Sequence, residues 1–337
     1  MTNDSRGRPR KPRRVTAQMV AEAAGVSRSA VSRAFTKGAY LDAQKREKIK
    51  KVAAQLGYQP NALAAGLQGG RSNLVAIFAG NLRSPYDTAF ISRIVQKMNA
   101  LNKWPILIDG AGAEAERALT EVMRYPLDAL ILRGGSMPAG IVEHCAKAGV
   151  PAISSGRLVD APGVDNVCCR NAKGMRLAGE MLIKKGRRRF AFIGGPEDFY
   201  SSAERRAGLL EALGANGLKL VAEARGDYTV ESGQKLAERL LRHHEVDALL
   251  CANDAAAIGA LTAARQMGLD VPGGLSLVGF DDISLAKWQA FDLTTVRNPI
   301  DESADRIIEL LQRRLETPAK PSETVFVDPY LVLRGTH

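Results

Sequence analysis

Arg28, Ser29, Ser32 and Arg33 recur at a spacing that puts them on one side of a helix. Arginine can give two donors to guanine O6 and N7, and serine can bond a base or a phosphate. Ala30, Val31 and Ala34 supply the opposite, apolar side. A helix of this kind suits a DNA major groove. Ser27 has an oxygen for its free N-terminal N–H groups, and Gly25 allows a tight turn just before it. Upstream, Met19, Val20, Ala23 and Ala24 fall three to five apart and predict the buried face of a preceding helix. Residues 17–35 therefore read as a helix-turn-helix. Asp42 can cap a third helix running to about Leu56, with Ile49, Val52, Ala53 and Leu56 inward and Lys45, Arg46, Lys48, Lys50 and Lys51 on a basic outer face.

A second set of candidates follows from residue 73 onward. LVAIFAG, PILIDG, DALILRG, PAISSG, RFAFIGG, DALLCAN and LSLVGFD are short apolar runs separated by amphipathic stretches. This alternation predicts parallel sheets covered by helices. In open sheets of this class, ligands bind beyond the carboxyl ends of the strands. The polar and aromatic residues at those ends are Asn81, Arg83, Tyr86 and Asp87; Arg133; Arg157; Phe199, Ser201 and Arg205; Tyr228; Asn253 and Asp254; and Asp281. A few fixed polar groups in a concave, partly aromatic site suit a small ligand.

Composition narrows the class. The chain has 337 residues and a formal net charge of +11. Residues 1–71 carry 15 Lys+Arg against 4 Asp+Glu, and the other 266 residues carry 32 of each. The whole positive excess thus sits beside the helix-turn-helix, the footprint of a DNA-binding module joined to a balanced domain. No apolar run approaches the ~20 residues of a membrane span. The basic RGRPRKPRR is not followed by an apolar segment, so a cytoplasmic, nucleoid-associated location is expected rather than export. Cys145, Cys168, Cys169 and Cys251 lack metal spacing and read as buried, reduced thiols. No metal and no cofactor are expected.

VAEAAGVSRSAVSRAF, REKI and LGYQPNALAAGL together resemble the DNA-binding headpiece of the LacI/GalR family of bacterial repressors. The second half carries further motifs of that family: AERRAGLLEAL, GDYTVESG, ALLCANDAAAIGAL and LSLVGFDD. The resemblance implies a fold class: an all-α helix-turn-helix headpiece followed by a periplasmic-binding-protein-like α/β domain of two parallel-sheet subdomains. It divides the chain into a basic flexible arm (1–14), a helix-turn-helix domain (15–58), a hinge helix and linker (59–71) and an effector-binding and dimerisation domain (72–337). Within the last, one subdomain is expected at about 73–168 and 297–323 and the other at about 169–296 and 324–337.

The implied DNA-contacting set is Thr16, Ser27, Arg28, Ser29, Ser32, Arg33, Asn61, Ala64 and Leu67. Leu67 stands where the family presents a leucine to the minor groove, and an apolar wedge there bends the duplex. The implied effector-binding set is Arg83, Tyr86, Asp87, Arg133, Arg157, Arg170, Phe199, Ser201, Arg205, Tyr228, Asn253 and Asp281. In the family, the positions of Arg205, Asn253 and Asp281 commonly hold effector polar groups. Two positions depart from the pattern: Arg170 replaces a usual aspartate, and Gly156 stands where aspartate is frequent. Four arginines, Arg133, Arg157, Arg170 and Arg205, are therefore expected around one cleft, with Arg83 beside them. Such a cluster calls for an anion or for acidic partners.

The resulting expectation is a homodimeric, ligand-responsive repressor of a pseudo-palindromic double-stranded operator, with an anionic effector such as a sugar acid or sugar phosphate. A neutral sugar or nucleobase effector, a coregulator, or an effector-free regulator are the alternatives. An enzyme is the rival class: DGAGAEA, from Asp109 to Ala115, fits the glycine spacing of a dinucleotide fingerprint. That fingerprint expects an acidic residue ending a strand about twenty residues on, whereas Asp128 opens one, and no catalytic residues are assigned.

Overall fold

Thr16 starts the first helix by accepting the Met19 N–H on its hydroxyl at 3.3 Å. The helix, α1 (Ala17–Ala24), ends at Gly25, whose φ of +64° lets the chain reverse at once. Ser27 Oγ then accepts the Ala30 N–H at 3.2 Å and opens α2 (Arg28–Phe35). Asp42 does the same for Lys45 at the head of α3 (Ala43–Leu56). Val20, Ala21, Ala24, Ala30, Val31, Ala34, Ile49 and Ala53 close over one another as the core of this unit. The buried stripe of α1 is Val20, Ala21 and Ala24, whereas Ala23 is exposed and Met19 is 41% exposed. At about 100° per residue, those two lie well round the helix from the stripe. Leu56, expected inside, is 37% exposed. The chain turns at Gly57, and Tyr58 packs edge-on against Phe35 instead.

The computed structural model describes residues 15–36, 38–60, 71–80, 82, 84–109, 112–133, 140–197 and 199–337. The chain divides into two compact units, Met1–Ser72 and Asn73–His337. The arm at 1–14, the hinge residues Asn61, Ala64 and Leu67, and Arg83 lie outside the described residues.

The second unit is built on two six-stranded sheets. The first orders its strands β11-β5-β4-β3-β1-β2. These are β1 (Leu74–Gly80), β2 (Trp104–Asp109), β3 (Ala129–Arg133), β4 (Ala152–Ser155), β5 (Val164–Cys169) and β11 (Thr324–Val327). All pair in parallel. The second orders β12-β10-β9-β8-β6-β7. It holds β6 (Phe190–Gly194), β7 (Leu220–Arg225), β8 (Ala248–Cys251), β9 (Ser276–Asp281), β10 (Thr295–Arg297) and β12 (Tyr330–Val332). Only β12 runs antiparallel to its neighbour.

Helices α4 (Pro85–Ala100), α5 (Gly112–Val122), α6 (Ile141–Ala148) and α11 (Ile300–Glu316) go with the first sheet. The second carries α7 (Asn171–Lys184), α8 (Tyr200–Gly214), α9 (Val230–His243) and α10 (Asp254–Gln266). Both faces of a parallel sheet are thereby buried, which is why its strands read as continuous apolar runs.

The chain crosses between the sheets after β5, after β10 and after β11. The final segment is therefore shared. Residues 324–327 pair with β5 in the first sheet, and only β12 onward joins the second. The expected boundary at 323/324 therefore falls instead between Val327 and Tyr330. Strand β5 itself interrupts its apolar run with Asp165 and Asn166, both buried. Arg314 of α11 makes this tolerable: its Nη2 and Nε reach Asp165 at 2.6 and 3.0 Å, and Lys320 adds a bond at 2.9 Å. The pairing with Arg314 and Lys320 holds the Asp165 carboxyl below its ordinary range against the opposing effect of burial.

Candidate functional site

On α2, Arg28, Ser29, Ser32 and Arg33 are all exposed and on one face, while Ala30, Val31 and Ala34 are buried. Ser27 Oγ meets Ser29 Oγ at 2.9 Å, so the two hydroxyls form one hydrogen-bonding edge at the helix N-terminus. That end also concentrates free N–H groups suited to phosphate. Arg46 is not on the outer basic face where its neighbours placed it. Its Nη1 donates to the Arg33 and Ala34 carbonyls at 3.1 and 3.0 Å, and its Nη2 to Ala39 O at 2.6 Å. These carbonyls at the end of α2 have no helical partner of their own. Arg46 thus fixes the recognition helix from behind.

In the second unit, the carboxyl ends of the strands line a partly open cavity between the sheets. Its walls include Tyr86, Asp87, Arg133, Phe199, Ser201, Arg205, Tyr228, Asn253 and Asp281. Nine of the twelve residues expected to bind effector therefore come together.

Two of the others do not line it. Arg170 caps the end of α7 at the crossover, 49% exposed, where it pairs with Asp328 at 3.2 Å and lies 4.5 Å over the Phe326 ring. Arg157 is half-buried beside β4, and its carbonyl accepts the Ser154 hydroxyl. The strand-end rule placed both near the cleft, but neither is among the residues that line it. Asp128 settles the dinucleotide reading. It stands at the amino end of β3, held by Lys103 Nζ at 2.7 Å and the Asn73 N–H at 3.2 Å, and cannot meet a ribose at the other end of the sheet.

The cavity's charges come in couples. Arg205 projects from α8, which docks closely on α7 because Gly208 abuts Ala172; a Cβ there would come within 2.0 Å of the Ala172 carbonyl oxygen. The guanidinium donates to Asn171 Oδ1 and Asp281 Oδ1, each at 2.9 Å, and to the Ala252 carbonyl. It also stacks 3.7 Å from the Phe280 ring centroid. Burial pulls its pKa down, but Asp281, Tyr228 and Cys169 together raise it above the ordinary arginine value. Burial lifts the Asp281 carboxyl above its ordinary range; Arg205 opposes that shift, and Asp87 on the facing wall adds to it.

The second couple joins Arg133 Nη2 to Asp87 Oδ1 at 3.0 Å. Cys169 sits between as a neutral thiol, its pKa pushed up to about 12 by burial. Asp281 and Tyr228 have φ of +106° and +70°. Such values cost non-glycine residues energy and are held only where the surroundings insist. The Tyr228 ring lies flat against Gly195, where a Cβ would fall 2.1 Å from it. Its hydroxyl and Arg133 Nε are buried without an aligned hydrogen-bond partner among the described residues.

Ser84, Phe90, Ser155, Asn171, Asn298 and Ser303 also line the cavity without having been anticipated. Asn171 had a signal: it directly follows Arg170 in a motif already marked as unusual. The serines had none, since hydroxyls near strand ends are too common to discriminate.

Residues 16–61 match bacterial regulatory proteins of the lacI family, and residues 180–337 match a periplasmic binding protein-like domain. The sucrose operon repressor of Pediococcus pentosaceus is 30% identical over 320 residues, spanning 94% of this chain and 97% of that one. Among solved structures, the lac repressor dimer bound to operator and the anti-inducer ONPF superposes with a TM-score of 0.86 at 26% identity, covering 96% of this chain and 99% of that one. A transcriptional regulator CelR–cellobiose complex gives 0.74 at 28% identity, covering 96% and 100%. With its helix-turn-helix, its paired parallel sheets and these relatives over nearly its full length, the chain belongs to the LacI family of bacterial transcriptional regulators.

Proposed function

We propose that this regulator is a repressor that binds a pseudo-palindromic operator as a homodimer and answers to a small sugar held in the cavity between the two sheets. The DNA-reading side chains are Arg28, Ser29, Ser32 and Arg33, with Thr16 and Ser27 at the helix starts, Asn61 and Ala64 in the hinge, and Leu67 as the minor-groove wedge. A relative that is a dimer on its operator supports the assembly, and the basic excess in residues 1–71 supports the DNA partner.

The observation that carries the effector reading is the charge balance of the cavity. Among the described residues its charged walls are Arg133, Arg205, Asp87 and Asp281. The expectation of an anion rested on four arginines around one cleft. Two of them lie in it, and each faces a carboxylate. Without surplus positive charge, the site suits an uncharged polyhydroxylated ligand, whose hydroxyls both donate to carboxylates and accept from guanidinium groups. The relative with cellobiose bound points the same way. One observation favours a sugar acid as the second reading: the buried Nε of Arg133 has no aligned partner among the described residues.

A thermal-shift panel of neutral mono- and disaccharides, their uronic acids and their phosphates separates the two. A ligand at a hundred times its Kd stabilises the fold by about 2.7 kcal/mol. Neutral sugars are expected to raise the melting temperature, and Tyr228→Phe and Arg205→Ala to diminish and abolish that rise. A rise given only by acids or phosphates selects the second reading, and no rise with any sugar class contradicts the sugar-responsive proposal.

A further inference from the structure

Resting on the sugar-cavity reading, one couple in the cavity has a property of its own. Arg133 ends β3 with its side chain only 11% exposed. Its guanidinium carbon lies 4.3 Å from the Phe90 ring centroid and 5.5 Å from that of Tyr86. Packed against two aromatic rings, it has little freedom to swing toward or away from a ligand. Asp87, in the first turn of α4, is fixed as firmly. One carboxylate oxygen takes Arg133 at 3.0 Å, and the other takes the Ser84 hydroxyl at 2.7 Å. Ser84 Oγ in turn accepts the Asp87 N–H at 3.2 Å.

We propose that the Asp87–Arg133 couple is the charge filter of the effector cavity: Asp87 masks a guanidinium that would otherwise capture anions, so that uncharged hydroxylated ligands enter and carboxylates and phosphates are rejected.

A planar guanidinium with a free edge takes carboxylate or phosphate in two parallel bonds. Asp87 takes one Nη2 donor of Arg133 and offsets its charge, so an arriving anion meets a neutral couple rather than a bare cation. An arriving anion would also meet Asp87 and, on the facing wall, Asp281. Burying it beside two carboxylates leaves its charge uncompensated. A hydroxyl meets no such repulsion. Selectivity then comes from what the site repels as much as from what it attracts. Asp281 has a counterpart arrangement, but its partner Arg205 also bonds Asn171 and the Ala252 carbonyl. Arg205 is thereby committed to the fold, whereas Arg133 Nε has no partner among the described residues. The Asp87–Arg133 couple is the one that a single substitution can unmask.

The test uses the full chain and inorganic phosphate, titrated against chloride at matched ionic strength, with melting temperature and ³¹P line width as readouts. Asp87→Asn keeps the shape and removes the charge. It is expected to bind phosphate saturably, at least tenfold more tightly than the wild type. Asp87→Asn combined with Arg133→Gln is expected to lose that gain, because phosphate held by the basic N-terminal segment would persist in the double variant. Circular dichroism verifies that each variant is folded. A wild type that binds phosphate as well as Asp87→Asn, an Asp87→Asn chain that gains nothing, or a double variant that keeps the gain overturns the filter. Phosphate capture does not depend on which sugar is the effector. Failure of the sugar panel therefore sinks the proposed function and failure here sinks the filter, each independently of the other.

Discussion

Asp254 is fully buried at the head of α10, where it accepts the Ile283 N–H at 2.8 Å and the Thr295 hydroxyl. Burial lifts its carboxyl well above the ordinary range, and the charge of Asp281 adds to the shift. The folded state therefore holds this proton to a higher pH than the unfolded chain, whose carboxyl titrates near about 3.9. Stability gained from the bound proton is present in acid and is lost as pH rises through the folded value. Asparagine removes the titration and can still accept from Ile283. The stability of the wild type relative to Asp254→Asn should thus fall as pH is raised from about 4, read by chemical denaturation at each pH. Parallel pH profiles for the two proteins would show that the buried carboxyl does not titrate as described.

At this scale, the sequence marked Arg205, Asn253 and Asp281 because strand ends fix where a backbone stops. It could not mark which way Arg157 and Arg170 would turn, because that depends on the following residues and on partners such as Phe326 and Asp328.

Among the elements, α2 depends on a residue of α3. The Arg46 guanidinium closes carbonyls at the end of the recognition helix, and hydrogen bonds to a charged group contribute about 1.5–3 kcal/mol. Arg46→Ala should speed amide exchange in residues 28–35 by roughly tenfold to a hundredfold, since each factor of ten corresponds to about 1.4 kcal/mol. Lys48, which is exposed on the same helix, should give no change when replaced by alanine. Equal exchange in both variants would show that α2 holds its own end.

Arg46 was invisible in advance because a charged side chain in a basic run gives no sign of pointing inward. The strands were easier to read, since burial on both faces leaves unbroken apolar runs. Strand β5 was missed for the opposite reason. Its Asp165 and Asn166 look like loop residues until Arg314, far along the chain, is seen to pair with the first. The division of 324–337 was hidden because Val327 ends one short strand and Tyr330 opens another in a different sheet.

Across the whole molecule, charge and role divide together. The positive excess lies in residues 1–71, and the effector unit is balanced. That balance extends into the cavity, where each of two arginines has a carboxylate. The central claim is that the helix-turn-helix reads DNA sequence through the exposed face of α2. Selection of duplexes from a random pool by the full chain, sequenced after several rounds, tests it most directly. The account predicts enrichment of one two-fold symmetric sequence. Arg33→Ala should relax the preference within each half-site, at a cost of about 1–3 kcal/mol for a lost base contact. Enrichment of no sequence, or an Arg33→Ala chain that loses selected and random DNA equally, would contradict it.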